Sequence, residues 1–169
     1  MTLERLWAGW RMEYVEGVGD PDDPDAAPCV FCRLLASDEP PEATLVVWRD
    51  DTVAAVLNAF PYTSGHLLVM PVRHVSDLED LDAAEGAALW SALSDGVVAL
   101  KQAYRPDGLN LGANLGRSAG AGIPGHFHLH CIPRWDGDTS FLTTIGGTRV
   151  LPESLPQTLE RVRSAWPGG

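Results

Sequence analysis

The segment Gly125-His126-Phe127-His128-Leu129-His130-Cys131-Ile132-Pro133 limits the possible folds of this chain more than any other stretch. Phe127–Pro133 has a strong strand pattern, bounded by Pro124-Gly125 and Pro133, and side chains on a strand alternate faces. His126, His128 and His130 therefore share one face, while Phe127, Leu129 and Cys131 turn the other way into a core. Such a chain needs a sheet with an apolar layer behind it and three imidazoles in front. Three of the five histidines lie in this row. Three readings fit it: polar edge residues, a three-histidine metal site, or a nucleophile flanked by helpers. Alternation with bulky apolar residues argues against the first. Spacing does not separate the other two, because strand neighbours at i and i+2 can share a metal.

The remaining pattern supplies the sheet. Thr44–Trp48 and Thr52–Leu57 are rich in Val and Leu, and Arg49-Asp50-Asp51 between them predicts a hairpin. Gly65–Val72 is a third strand, with Pro71 marking its end. Leu109–Leu115 alternates as a fourth, and Gly116–Gly125 is a loop with four glycines. Asp80–Tyr104 has Leu89, Leu93, Val97, Leu100 and Tyr104 at helical spacing, and Pro106 and Gly108 end it. A short helical turn is expected at 29–36 after Pro28, and a C-terminal helix at Pro152–Trp166. Residues 16–28, rich in Gly, Pro and Asp, read as a solvated loop. Strands dominate around one long helix, which predicts an α+β fold on an antiparallel sheet.

With 169 residues the chain suits one domain, able to bury roughly 70% of its unfolded surface without staples. A net charge of -11 argues against a nucleic-acid partner, since phosphate backbones are bound mainly by Lys and Arg. A small phosphate ligand stays compatible if backbone N–H groups, imidazoles, an arginine or a metal give local positive potential. No stretch reaches the roughly 18 apolar residues that span a bilayer, so no membrane partner is expected. Met1–Tyr14 does not resemble a signal peptide, and the expected location is the cytoplasm. Cys29 and Cys32 form C-x-x-C, and the odd total of three cysteines does not suggest a disulfide framework. In a reducing compartment such a pair is a metal clamp, a redox pair or two free thiols. Cys131 is expected to be buried and inert.

His-φ-His-φ-His-φ-φ at 126–132 resembles the motif of the histidine-triad (HIT) hydrolases and transferases. Further matches are Leu6-Trp7 with Trp10-Arg11-Met12, Leu57-Asn58, Pro61-Tyr62, Gly65-His66-Leu67, Asn114-Leu115-Gly116, and Pro133-Arg134-Trp135 followed by Gly137-Asp138. The likeness covers roughly residues 29–147 and looks nearest to actinobacterial diadenosine tetraphosphate phosphorylases and hydrolases. It implies a five-stranded antiparallel sheet with a long helix, in a homodimer. It divides the chain into an N-terminal arm and loop at 1–28, a HIT domain at 29–147 and a C-terminal helical extension at 148–169.

The resemblance also assigns roles. His128 matches the histidine that attacks phosphorus and becomes nucleotidylated, with His130 on the phosphate or leaving oxygen and His126 as the first triad member. Asn58 matches a residue holding ribose hydroxyls, His66 one bracing the triad, and Asn114 one beside the α-phosphate. Gly120 and Gly122 lie in the loop whose N–H groups would meet the non-bridging oxygens. Where many relatives have Ser or Thr before the first triad histidine, Ala121-Gly122-Ile123-Pro124-Gly125 has no hydroxyl. Some relatives pair a C-x-x-C with a histidine after the third strand and with the first triad histidine, and Cys29, Cys32, His74 and His126 match that structural-zinc set. No organic cofactor is expected.

The chemistry suits the row. A neutral imidazole is a competent nucleophile near pH 7 when an acceptor holds its other nitrogen. Cleavage of a phosphoanhydride in a dinucleoside polyphosphate is the leading expectation, with phosphate or water as acceptor. A non-catalytic nucleotide-binding protein and a nucleoside phosphoramidate hydrolase are the alternatives. Arg134 offsets phosphate charge or is merely solvated, and Trp7, Trp10 and Trp135 line a base pocket or a subunit contact.

Overall fold

The structure, a computed structural model, describes residues 29–138 and 151–168. The loop at 16–28, Trp7 and Trp10 lie outside the described residues. Five strands form one antiparallel sheet: β1 (Val46–Arg49), β2 (Val53–Leu57), β3 (Leu67–Pro71), β4 (Gly108–Ala113) and β5 (Leu129–Arg134). Their order across the sheet is β1-β2-β3-β5-β4. With its helices, the sheet makes the α+β architecture that the pattern predicts.

The first hairpin turns where the acidic pair stands. Asp50 Oδ1 accepts from the backbone N–H groups of Thr52 and Val53, both at 2.7 Å, an Asx turn that starts β2. β1 begins later than the apolar run suggests. Pro40 and Pro41 open a one-turn helix, α2 (Pro41–Thr44), after α1 (Val30–Leu35), and Leu45 takes the left-handed conformation at φ 60°. Thr44 thus closes a helical turn instead of opening a strand.

Both faces of the sheet centre are covered. Val53, Ala55, Leu57, Leu67, Val69, Phe127 and Cys131 pack with α3 (Ala83–Tyr104) and α4 (Leu155–Ser164) in one core. On the opposite face Ala54, Val56, Leu68 and Met70 pack with Phe31 and Leu35 of α1. All residues of β2 and β3 are buried, so they read as continuous apolar runs.

α3 starts at Ala83, after a separate 3₁₀ turn at Leu78–Asp80, because Asp82 and Glu85 form a capping box that fixes its first turn. Midway along it, Gly96 faces β3: a Cβ there would lie 2.8 Å from Leu67 Cδ2. The C-terminal helix is shorter than predicted, since Ser154 and Gln157 form its capping box after Pro152. Beyond its end, Trp166 stacks on Trp48 of β1 at 5.7 Å and 15°.

β5 pairs later than its sequence pattern. The ladder with β3 ends at Val69↔Leu129 and that with β4 at Ala113↔Leu129. Upstream, Phe127 N–H donates instead to the Val75 carbonyl at 2.6 Å. Only His130 of the row lies inside the ladder, while His126 and His128 extend past its end.

Candidate active site

The three triad rings keep to one side even so. Phe31, in the layer opposite α3, meets both His126 and His128 edge-on, with centroids at 5.5 and 5.2 Å. His128 and His130 are 5.0 Å apart. Phe127 and Cys131 lie in the core behind them, Cys131 fully buried with its thiol pushed up to about 12 by burial. The strand alternation therefore delivers the row it predicts.

Hydrogen bonds assign the proton positions. His128 Nδ1 is 2.8 Å from the His126 carbonyl, which can only accept, so Nδ1 is the N–H nitrogen. Nε2 of His128 then has the free lone pair. Burial holds the His128 pKa below its ordinary value, which favours the neutral ring. At the other end, His66 Nδ1 accepts from Tyr62 N–H at 3.1 Å, so His66 donates from Nε2 to His130 Nδ1 at 2.9 Å. That leaves the His130 proton on Nε2; Asn114 Nδ2, 3.5 Å away, is itself a donor, so it is a close neighbour of that proton and not its acceptor. Burial, with His128 as a neighbour, lowers the His130 pKa to about 4. The row thus presents a lone pair on His128 beside an N–H on His130.

The flanking residues hold this arrangement. Asn58 Oδ1 accepts from Phe60 N–H at 2.9 Å, and its Nδ2 lies 3.4 Å from His66 Nδ1. Tyr62 covers His66 and runs nearly parallel to the His130 ring at 6.2 Å. Asn114 also reaches the Gly120 carbonyl at 3.4 Å. Gly120 N–H closes the 3₁₀ turn of Arg117–Ala119 onto the Arg117 carbonyl at 2.8 Å, so it is committed within the loop. Gly122 is exposed. Arg134 binds Asp138 through Nε and Nη2 at 2.6 and 2.7 Å, and Nη1 reaches Asn110. Trp135 packs on Tyr104 of α3.

Cys29, Cys32, His74 and His126 converge at the end of the row. One ligand atom from each lies within 4.8 Å of the others. Nδ1 of His126 is 3.4 Å from Cys29 Sγ and 3.6 Å from Cys32 Sγ, and His74 Nδ1 is 3.2 Å from Cys32 Sγ. Tetrahedral zinc with Zn–S about 2.3 Å and Zn–N about 2.0 Å sets its ligands roughly 3.3–3.8 Å apart, which the three sulfur–nitrogen contacts at 3.2–3.6 Å approach. His126 Nε2 donates to the Pro71 carbonyl at 2.9 Å, which turns its Nδ1 lone pair toward the sulfurs. Burial pushes the Cys29 thiol up; a proton on His126 Nδ1, which the ring carries only when charged, and hydrogen bonds from Cys32 bring it down to about 6. Burial and that neighbouring sulfur push Cys32 up to about 11. Beside His74, Arg73 is fixed by a two-point ion pair to Glu85, both contacts 2.7 Å. The Arg73 hydrogen bond holds Glu85 down at about 2.

Sequence reasoning missed Phe31 and gave Tyr62 no role. Position inside C-x-x-C was the only available signal for Phe31, and nothing local marks a carbonyl such as that of Pro71 as a partner.

The family model for the HIT domain matches residues 40–137. The chain belongs to the HIT family. It is 41% identical to the AP-4-A phosphorylase of Mycobacterium tuberculosis, over 97% of this chain and 85% of that protein. Among solved structures of the HIT family it is similar to a histidine triad nucleotide-binding protein from Sulfolobus tokodaii, with TM-score 0.66 and 29% identity over 81% of this chain and 91% of that one. A zinc-bound histidine triad family protein from Mycobacterium smegmatis gives TM-score 0.65 and 29% identity over the same shares. Among the described residues, no helix is long and apolar enough to cross a membrane.

Proposed function

We propose that this HIT-family chain is an enzyme that cleaves a phosphoanhydride of a dinucleoside polyphosphate, diadenosine tetraphosphate being the first substrate to test. The observation that carries the reading is the oriented lone pair of His128, with Nδ1 held by the His126 carbonyl. Nε2 attacks one phosphorus, a P–N bond forms, and the P–O bond to the departing nucleoside polyphosphate breaks. His130, with its proton on Nε2, donates toward the phosphoryl oxygens or the leaving oxygen. Phosphate or water then takes the nucleotidyl group and restores the neutral ring. Asn114 and Gly122 line the phosphoryl position, with Gly120 shaping the loop, and Asn58 sits where it can hold ribose hydroxyls while bracing its own loop.

Cys29, Cys32, His74 and His126 would hold zinc in a closed, structural set that stabilises the fold and leaves His128 outside the coordination sphere. A homodimer is supported by β4, an edge strand whose Leu111 is 48% exposed. The HIT domain spans 29–147, and the extension at 148–169 docks α4 into the core through Leu159 and Val162. The protein acts in the cytoplasm on free nucleotides.

The test is incubation with diadenosine tetraphosphate, with and without phosphate, with chromatography of products and acid-quench capture of the intermediate. ADP plus ATP appearing only with phosphate identifies phosphorolysis, and AMP plus ATP or two ADP identifies hydrolysis. Tight nucleotide binding without adduct or turnover would make the chain a binding protein. Turnover confined to adenosine phosphoramidate would make it a phosphoramidate hydrolase.

A further inference from the structure

The His128 ring is held from three directions. Its Nδ1 is tied to the His126 carbonyl at 2.8 Å. One flank meets His130 at 5.0 Å and 66°, and His130 is itself pinned by His66. The ring also meets Phe31 at 5.2 Å and 64°. The hydrogen bond restrains rotation about Cβ–Cγ within its own angular tolerance, and the two ring contacts narrow that range.

Phe31 is well placed for this task. It is 5% exposed and packs with Leu35, Ala54, Val56, Leu68 and Met70, so its ring has little room to move. It stands between Cys29 and Cys32 on the turn that brings both sulfurs to His126. The same ring touches His126 at 5.5 Å and 82°. A single turn of helix with its N-cap thus meets the triad twice, through the sulfurs at His126 and through the phenyl ring at His128.

We infer that Phe31 is a positioning residue for the nucleophile, setting the pitch of the His128 ring so that Nε2 points along the line of attack. This rests on the proposed nucleotidyl transfer. A misplacement of about 1 Å at a reacting atom costs on the order of a hundredfold, so the contact has enough leverage to govern the chemical step.

The experiment compares Phe31→Leu, which stays apolar but removes the ring, with Phe31→Tyr, which keeps it. In single-turnover mixing with diadenosine tetraphosphate, the leucine variant should form the adduct about 30- to 100-fold more slowly. Its KM should stay within about threefold of the parent and its zinc content near the parent's, while the lost ring volume lowers its melting temperature by roughly 2–8 °C. The tyrosine variant should recover most of the rate. In ¹⁵N-edited NMR the His128 ring should show one sharp set of signals in the parent and broadened signals in the leucine variant. A raised KM with an unchanged adduct rate would overturn the inference, making Phe31 a wall of the substrate pocket. Lost zinc would overturn it in favour of a role confined to the clamp, and unchanged rate and signals would remove it outright. If the parent forms no adduct, the proposed function fails, yet the NMR comparison still decides whether Phe31 orients the ring.

Discussion

The two ends of the histidine row are built differently. At one end His126 is fully buried, donates to the Pro71 carbonyl and turns its other nitrogen toward two sulfurs. At the other, His130 is half-buried and is reached through a relay that starts at the Tyr62 backbone. The first end fixes position, and the second fixes the tautomer of the ring proposed to face substrate. His128 lies between them and draws on both. A nucleophilic imidazole needs a rigid neighbour and a proton-bearing neighbour, and the row separates these needs by one residue on either side.

Four substitutions and the response to pH would break or sharpen this contrast. Removing the ring between the ends should have the largest effect: His128→Ala should lose turnover by about 10³-fold or more, as for loss of a nucleophile, with zinc content unchanged. Retained turnover would end the mechanism. Next is the fixed end. Cys32→Ser should release zinc, measured by metal analysis, and cost about 3 kcal/mol in denaturant unfolding, since metal affinity is folding free energy. Unchanged stability would show that the clamp is idle. At the relay end, His130→Ala should slow adduct formation by about 10²-fold with zinc retained. His66→Ala, acting one bond further back, should cost about tenfold, and equal losses would show that the relay is one unit.

The pH dependence is read first as stability. His130 titrates near 4 when folded and near its ordinary value of about 6.5 when unfolded. The unfolded state therefore binds more protons between those values. Stability is full above about pH 6.5 and falls as pH drops toward about 4, by roughly 2 kcal/mol after allowing for partial exposure. His128 is also held below its ordinary value, so the acid limb of adduct formation should lie below pH 6.5. An acid limb at or above 6.5 in a pH–rate profile would contradict the buried, neutral ring.

Much of this was visible in the residues. Period-two alternation over 126–131 placed three imidazoles opposite Phe127 and Cys131, and the spacing of Leu89, Leu93 and Leu100 placed α3 on the sheet. The coincidence of Cys29, Cys32, His74 and His126 came from resemblance, because positions 97 residues apart cannot be joined by local pattern. Element ends were read less well. Thr44 follows strand propensity, but two prolines and a left-handed Leu45 override it. The proton map was out of reach, since it depends on backbone groups of Tyr62, Pro71 and His126 that carry no side-chain signal.

Gly96 carries a consequence for engineering. In an exposed helix interior, replacing glycine by alanine gains up to about 1 kcal/mol, which makes such a position a usual target for stabilisation. Here the added methyl would land 2.8 Å from Leu67 Cδ2, and Leu67 directly follows His66. An alanine at this site forces the fully buried Leu67 side chain to move, one residue from His66, so a gain in helix propensity would be set against repacking beside the triad.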